Sequence, residues 1–454
     1  EWDRWLLMGL IGTAVGMLSF LIHQIIDSLM ELKWDLVENY LQVSKRNWTW
    51  SMGANVVIYL STGQDGSIHM TWLCVLGSGL AMVVLSSGSV LFFCPGGSPS
   101  GLPEIIGYLN GTSIQHLFNI KTFLGTFVSC VLAVASGLFC GPEGPMIHLG
   151  ALLGCGLSQL QLDTLGIHLP IFTRFQNSAD KRSFITAGAG AGIASVFRAP
   201  IGGLLFMLEE VSSFWDIRLA WQTFFCCLMA TFTMDLLSSS LFGFVYRGHF
   251  GFFEAEKRII FWNLLDVNIL AFVPTILLGM LGGLLGALFV SLNIKINKLR
   301  MQFFNSIPKL SLRKTSKLIL LKFCISPHLF LCVAAAALLV ENGKQGITYL
   351  FKRGTHEEFG FTSLCTALAF YFILSCWTAG SAVASGLVIP MLYTGALYGR
   401  IIGLILVSIF GVQTNEYGAW IDPGLFAAIG AASFFSGVSR LTISLTVIMV
   451  SMLS

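Results

Sequence analysis

The stretch GPEGPMIHLGALLG, Gly141 to Gly154, sets Glu143 between two Gly-Pro steps immediately after the apolar run FVSCVLAVASGLFC. A Pro in the first turn of a helix costs little, because its missing N–H is one of those without an intrahelical partner. The stretch therefore predicts a helix that begins where an apolar run has just been broken, with an acid in its first turn. Its setting is a chain of 454 residues that is 55% hydrophobic and 11% charged. That is too little polar surface to coat a soluble globule of this size, so the composition predicts an integral membrane protein. Apolar runs start at Trp5, Thr71, Leu219 and Asn268. A run of about 20 residues at about 1.5 Å per residue crosses a hydrocarbon core of about 30 Å. About ten or more such segments, several interrupted by Gly and Pro, predict one large all-α polytopic domain.

The net charge of +3 matters less than its placement. Lys295, Lys298, Arg300, Lys309, Arg313, Lys314, Lys317 and Lys322 follow one another with no acid between them, which predicts a cytoplasmic loop. A nucleic-acid partner would need folds and aromatic interleaving that this basic stretch lacks. The 11 cysteines, Cys226 and Cys227 included, show no CxxC pair and read as small buried hydrophobes. The sequon Asn47-Trp48-Thr49 lies in a polar connector, whereas Asn110-Gly111-Thr112 reads as fortuitous. The first run is long and preceded by Glu1-Trp2-Asp3-Arg4, which is unlike a cleavable signal peptide.

The opening stretch recurs. Against GLVIPMLYTGALYG, Gly386 to Gly399, it matches at Gly141, Pro145, Met146, Gly150, Ala151, Leu152 and Gly154, without a gap and at one offset of 245 residues (386 against 141). A weaker echo sets AGIASVFRAPIGGLLFMLEE beside ASFFSGVSRLTISLTVIMVS, with Arg198 opposite Arg440 once one residue is skipped. The chain reads as duplicated, with a first membrane repeat over residues 1–245, a connector over 246–262 and a second repeat over 263–454. Paired Gly/Pro-interrupted segments in two halves are the sequence sign of an inverted-repeat transporter with its site at the bilayer midplane.

A helix that starts inside a membrane points its free N–H groups and the positive end of its dipole at whatever lies before it, and that calls for an anion. GPEGP and GLVIP predict two such helices, and PSGLPEIIGYLNG, Pro99 to Gly111, a third. Each terminus contributes about 0.3–1 kcal/mol, up to about 2 when partly buried. A fixed ammonium at the membrane centre is costly, while partial charges let an anion enter and still leave. Glu143 then competes for the anion site when ionised and vacates it when protonated. Glu209 and Glu210 end another apolar run and project about 100° apart on a helix, so they predict one structural acid and one facing a watery route, in either order. No HExxH motif or Ser/His spacing points to an enzyme, and His148 reads as a hydrogen-bonded packing residue.

In order, Pro99-Ser100-Gly101-Leu102-Pro103, Gly141-Pro142-Glu143-Gly144-Pro145 and Gly386-Leu387-Val388-Ile389-Pro390 resemble the three anion-site signatures of the CLC chloride channels and chloride/proton exchangers. GPMIH, YLNG, RAPIGG and LEEVSSFW are similar to the eukaryotic late-endosomal and lysosomal exchanger branch. The resemblance implies an inverted-repeat CLC-type fold and coupled chloride/proton antiport, the alternative being a passive chloride channel of the same fold. It implies chloride binding at Ser100, Gly101, Gly144, Leu387 and Val388. Glu143 takes the role of gating and proton-transfer acid and Glu210 that of internal proton-transfer acid, which leaves Glu209 structural. It implies no metal and no cofactor, with chloride and protons as cargo, lipid around a homodimer, and room for an accessory membrane subunit. The implied location is endosomal or lysosomal, with the plasma membrane as alternative. A further helix bearing a tyrosine for the central chloride, and a CBS domain pair, are expected beyond Ser454. Pro142, Pro99 and Val388 depart from the signatures at positions usually held by Lys or Arg, Gly and Phe.

Overall fold

The run at Trp5 folds as α1, Trp2–Leu41, whose 40 residues are about twice what a bilayer core needs. α2 spans Ile68–Gly88 and ends in a π-helical turn, Ser89–Phe93. Then come α3 (Leu102–Leu109), α4 (Ile120–Ala135), α5 (Glu143–Gln159) and α6 (Ser178–Phe197). α7 (Pro200–Phe206) runs on through a π-helical turn, Met207–Val211, before α8 (Ile217–Ser240). The second half holds α9 (Phe272–Asn305), α10 (Gly343–Phe351), α11 (Phe361–Thr378), α12 (Val388–Phe410), α13 (Pro423–Ser439) and α14 (Ile443–Leu453). Two antiparallel pairs of two-residue strands lie between α5 and α6 and between α12 and α13. The computed structural model describes residues 2–41, 68–93, 100–114, 117–159, 161–162, 167–168, 173–175, 177–213, 215–240, 272–305, 343–352, 360–410, 414–415, 418–419 and 422–453. The expected connector at 246–262, the sequon at Asn47 and Pro99 lie outside the described residues.

Among the described residues, five helices are long and apolar enough to cross a bilayer: Trp2–Lys33, Ile217–Ser240, Phe272–Gln302, Phe361–Thr378 and Val388–Ile409. Others, such as Ile120–Ala135 and Pro423–Ser439, are shorter. These long and short apolar helices together answer to the expected segments, several of them interrupted by Gly and Pro. Glycine and proline steps divide apolar stretches into pieces that end within the protein interior.

The duplication has a structural counterpart. α12 begins 245 residues after α5 (388 against 143), and α13 begins 245 after α6 (423 against 178). α5 packs along α6 as α12 packs along α13. In the first pair a Cβ on Gly150 would meet the carbonyl oxygen of Gly188, and one on Gly188 that of Gly150. Gly395 and Gly430 stand in the same mutual relation in the second pair. Such backbone-to-backbone crossing is what small residues allow, and it replaces the hydrophobic drive that lipid cannot supply. α6 and α13 also end alike, on Arg198 (φ 53°) and Arg440 (φ 61°), each in the left-handed region as the helix C-cap. The weaker sequence echo that placed these arginines opposite each other thus falls on equivalent helix ends.

Gly12 and Gly16 of α1 seat the same way on Cys226 and Ala230 of α8. The described cysteines other than Cys365 are buried and none of them is in a disulfide, as expected of small core residues.

Gly150→Ala should lower the thermal unfolding midpoint of the detergent-solubilised protein, with overpacking costing about 1–3 kcal/mol. Gly156→Ala, on the same helix with nothing within 4 Å of the added carbon, should leave the midpoint unchanged or raise it. Equal shifts for the two variants would refute the close crossing.

Candidate functional site

Both broken helices start where the sequence placed them. α5 begins at Glu143 and α12 at Val388, and their lead-in segments pair with each other. Gly141 N donates to Gly386 O (3.0 Å) and Gly386 N donates to Gly141 O (2.8 Å), a single antiparallel bridge between the two halves. The bridge satisfies backbone groups that a bilayer interior would otherwise leave bare. It also sets the two lead-ins running in opposite directions, as an inverted repeat requires.

Glycine is needed on both sides of the bridge because the Glu143 side chain folds back over it. A Cβ on Gly386 would come 2.7 Å from Glu143 Oε2, and one on Gly141 would collide with the same carboxylate. Glu143 is 1% exposed. Its carboxylate lies beside the backbone N–H groups of Glu143 itself and of Ile389, at the two helix starts, and against the glycines of the bridge.

α3 supplies the third helix start. Gly101 caps it with φ 75° and Pro103 sits in its first turn. Ser100 Oγ accepts a long hydrogen bond from Leu102 N at 3.4 Å. The left-handed turn is backed by His148 of α5, whose buried ring lies where a Cβ of Gly101 would be. His148 is buried, as expected of a packing residue, with its ring beside the backbone of Leu117.

The N-terminal ends of α3, α5 and α12 face one cavity of about 310 Å³. Ser100, Glu143, Gly144, Leu387, Val388 and Glu210 all line it. Of the seven residues assigned an anion or proton role from sequence, Gly101 alone is absent from the lining, because it faces His148. Gly144 brings the parts close together: a Cβ there would lie 3.0 Å from Ser100 Cβ and 3.2 Å from Gly386 Cα. Sequence reasoning missed Gly380 and Ser385, which also line the cavity. The uncharged segment Gly380–Leu387 offered no signal beyond its place before a repeated motif.

The adjacent acids separate as the 100° helical step requires. Glu209 reaches the start of α14, accepting from Thr442 N and Oγ1 (both 2.8 Å) and from Ser444 N (3.0 Å) and Oγ (2.6 Å). Burial pushes its carboxyl up, but these bonds, those from Ser444 foremost, outweigh that and hold it down at about 2. Glu210 turns to the cavity instead. Partial burial, then the neighbouring Glu209 charge, raises its carboxyl above the ordinary 4.5. Both stand at the exposed end of α7, outside the spanning helices. One acid is thus fixed as an anion and the other is made easier to protonate.

Glu209→Ala should lower the unfolding midpoint by roughly 2–4 °C. A carboxyl depressed from 4.5 to about 2 contributes stability that is present above pH 4.5 and lost as pH falls through about 2. The difference between wild type and variant should accordingly stay constant from pH 7 to pH 5 and shrink below, as read by thermal melts across pH. A difference that grew on acidification would contradict the anchoring.

Comparison with known proteins agrees with this geometry. A family model described as voltage gated chloride channel matches residues 79–454. Chloride channel protein D of Dictyostelium discoideum is 32% identical over 98% of this chain and 51% of its own length. H(+)/Cl(-) exchange transporter 7 of Mus musculus is 30% identical over 99% of this chain and 56% of its own. The chain therefore spans about half the length of the curated relatives it matches. Among solved structures, that of a slow cyanobacterial Cl-/H+ antiporter superposes with a TM-score of 0.71 at 20% identity, covering 99% of this chain and 89% of that one. At that identity the likeness speaks for the inverted-repeat fold with broken intramembrane helices.

Proposed function

This chain belongs to the voltage-gated chloride channel family, and we propose that it moves chloride across a membrane in exchange for protons. The observation that carries the reading is the single cavity shared by Ser100, Glu143 and Glu210 beneath three helix N-termini. Helix starts supply partial positive charge and free N–H groups, which suit a monovalent anion that must bind and then leave. Ser100 offers a hydroxyl, and the N–H groups around Gly144, Leu387 and Val388 offer backbone donors.

Glu143 occupies the place an anion would take, seated against Gly141 and Gly386. As a neutral acid it withdraws and admits chloride; as a carboxylate it returns and closes the path. Glu210 is the inner partner. Its carboxyl lies on the same cavity, is raised toward protonation by burial and by Glu209, and stands at an exposed helix end where protons enter. The two acids then hand a proton along a route that chloride does not need, which is the chemical basis of exchange.

The likeness to exchange transporter 7 supports antiport over passive conduction. The endosomal or lysosomal membrane and the homodimer implied by the sequence motifs belong to the same proposal, with the exposed apolar side chains Ile201 on α7, Leu208 in the turn after it and Ile443 on α14 open to lipid or a second copy. Transport, rather than covalent chemistry, is the activity this site suits.

The test is simultaneous chloride and proton flux from purified full-length protein in liposomes, started with a chloride gradient and no proton gradient. Chloride flow should drive protons uphill. Glu210→Ala should abolish proton movement while leaving chloride flux within about threefold, about 0.7 kcal/mol in barrier. Glu143→Ala should uncouple the two ions. Chloride flux with a flat pH in wild type would overturn exchange in favour of a passive channel, and proton coupling that survived Glu210→Ala would remove Glu210 from the route.

A further inference from the structure

The segments that lead into the two broken helices, Gly137–Pro142 and Gly380–Leu387, carry no charged residue. Each is nevertheless preceded by a helix end that a basic side chain grips from another part of the chain. In the first half the buried Lys33 of α1, 7% exposed, donates from Nζ to the carbonyl oxygen of Ser136, 3.2 Å away. Ser136 is the C-cap of α4. The next residue, Gly137, turns the chain with φ 87°, and a Cβ there would lie 3.6 Å from the same Nζ.

The second half repeats this arrangement with different residues. Arg300 of α9 donates from Nη2 to the carbonyl oxygen of Trp377, in the last turn of α11. Asn293, two turns earlier, donates to Cys376 O at 3.0 Å, and Asn297 donates to Asn293. Here too a glycine follows with positive φ, Gly380 at 76°, and a Cβ on it would come 2.8 Å from Asn297 Oδ1. Gly380 itself lines the cavity.

α1 and α9 are the first described helices of their halves, and α4 and α11 are the helices directly before α5 and α12. The paired motif is therefore a cation on the opening helix clamped over the C-terminus that feeds a broken helix. The two lead-ins run antiparallel where they meet at Gly141 and Gly386, so they enter from opposite faces of the membrane. Arg300 stands near the C-terminal end of α9, within the helical head of the basic stretch whose charge argues for the cytoplasmic side, which leaves Lys33 toward the other face.

We infer that Lys33 and Arg300 are matched positioning residues at the two mouths of the anion path, Lys33 outer and Arg300 inner. Each fixes one lead-in and supplies to it the positive charge that the lead-in lacks, so that chloride is drawn to that mouth from its own side. The helix C-terminus under each cation carries partial negative charge, which holds the cation in place and moderates its pull on a passing anion. In this way the centre of the path needs only helix N-termini, and the full charges are kept away from it, each over a helix C-terminus.

This inference rests on the chloride-transport reading, and its test separates the two. Full-length protein is reconstituted in one orientation, chloride is varied on one side at a time, and half-saturating concentration and maximal rate are read for each side. Lys33→Met should raise half-saturating chloride on the outer side alone, and Arg300→Met on the inner side alone, by roughly three- to tenfold. Lys33→Arg and Arg300→Lys should restore wild-type values. In the wild type itself, half-saturating chloride on both sides should rise as ionic strength is raised with an impermeant salt from about 0.05 to about 0.5 M; this reading needs no variant to fold. A loss of maximal rate alike from both sides, with half-saturation and its salt dependence unchanged, would make the two residues merely structural and overturn the inference. Wild type that passes no chloride from either side would bring down the transport reading, and this inference with it.

Discussion

Two hydrogen bonds between Gly141 and Gly386, 3.0 and 2.8 Å long, are what allow this fold to keep helix ends inside a membrane. In hydrocarbon every backbone group must find a partner within the protein, so a chain leaves the helical ladder there only where another segment receives it. Each lead-in receives the other. Because the pairing is antiparallel, the helices that follow start near a common point with their positive ends toward one cavity. The same pairing dictates glycine at both positions, since the Glu143 carboxylate fills the space their side chains would take.

Around that bridge, rigidity comes from close contact and not from apolar bulk. α5 against α6, and α12 against α13, cross at glycines whose backbones touch, so the helices that present Glu143 and Val388 cannot slide without opening steric gaps. Cations meet helix C-termini elsewhere in the structure as well. Arg400 of α12, 0% exposed, donates to Leu350 O and, at 3.3 Å, to Lys352 O at the end of α10. Among the described residues the N-termini of α3, α5 and α12 face the cavity, and Lys33, Arg300 and Arg400 lie on helix C-termini, where the dipole favours them.

The acids divide their work by partner rather than by type. Glu209 accepts four bonds from the start of α14 and ties the end of α7 to the last described helix. Glu143 rests on the glycines of the bridge, beside the N–H groups of two helix starts. Glu210, one residue from the anchored acid, lies on the cavity under a neighbouring negative charge. A fixed carboxylate beside a protonatable one, with a third acid among the helix starts that line the cavity, is an arrangement in which a proton and an anion use the same space without travelling the same way.

Much of this was legible in the chain because the signals are local. Apolar runs interrupted by Gly-Pro name broken helices, since proline is tolerated only where N–H groups are already free. The repeat at one offset of 245 residues pairs Gly141 with Gly386 before any contact is known, and Glu143, Ser100 and Val388 follow from standing at predicted helix starts. Sequence could say that Glu209 and Glu210 differ, because adjacent helical residues point apart, but the residues alone could not say which is anchored. That depends on Thr442 and Ser444, more than two hundred residues away. Nor could it give Lys33 its place over Ser136, or bring Gly380 and Ser385 to the cavity. Spacing along a chain fixes which backbone groups are free and which way neighbouring side chains diverge. Only the packing of one half against the other decides what those groups face.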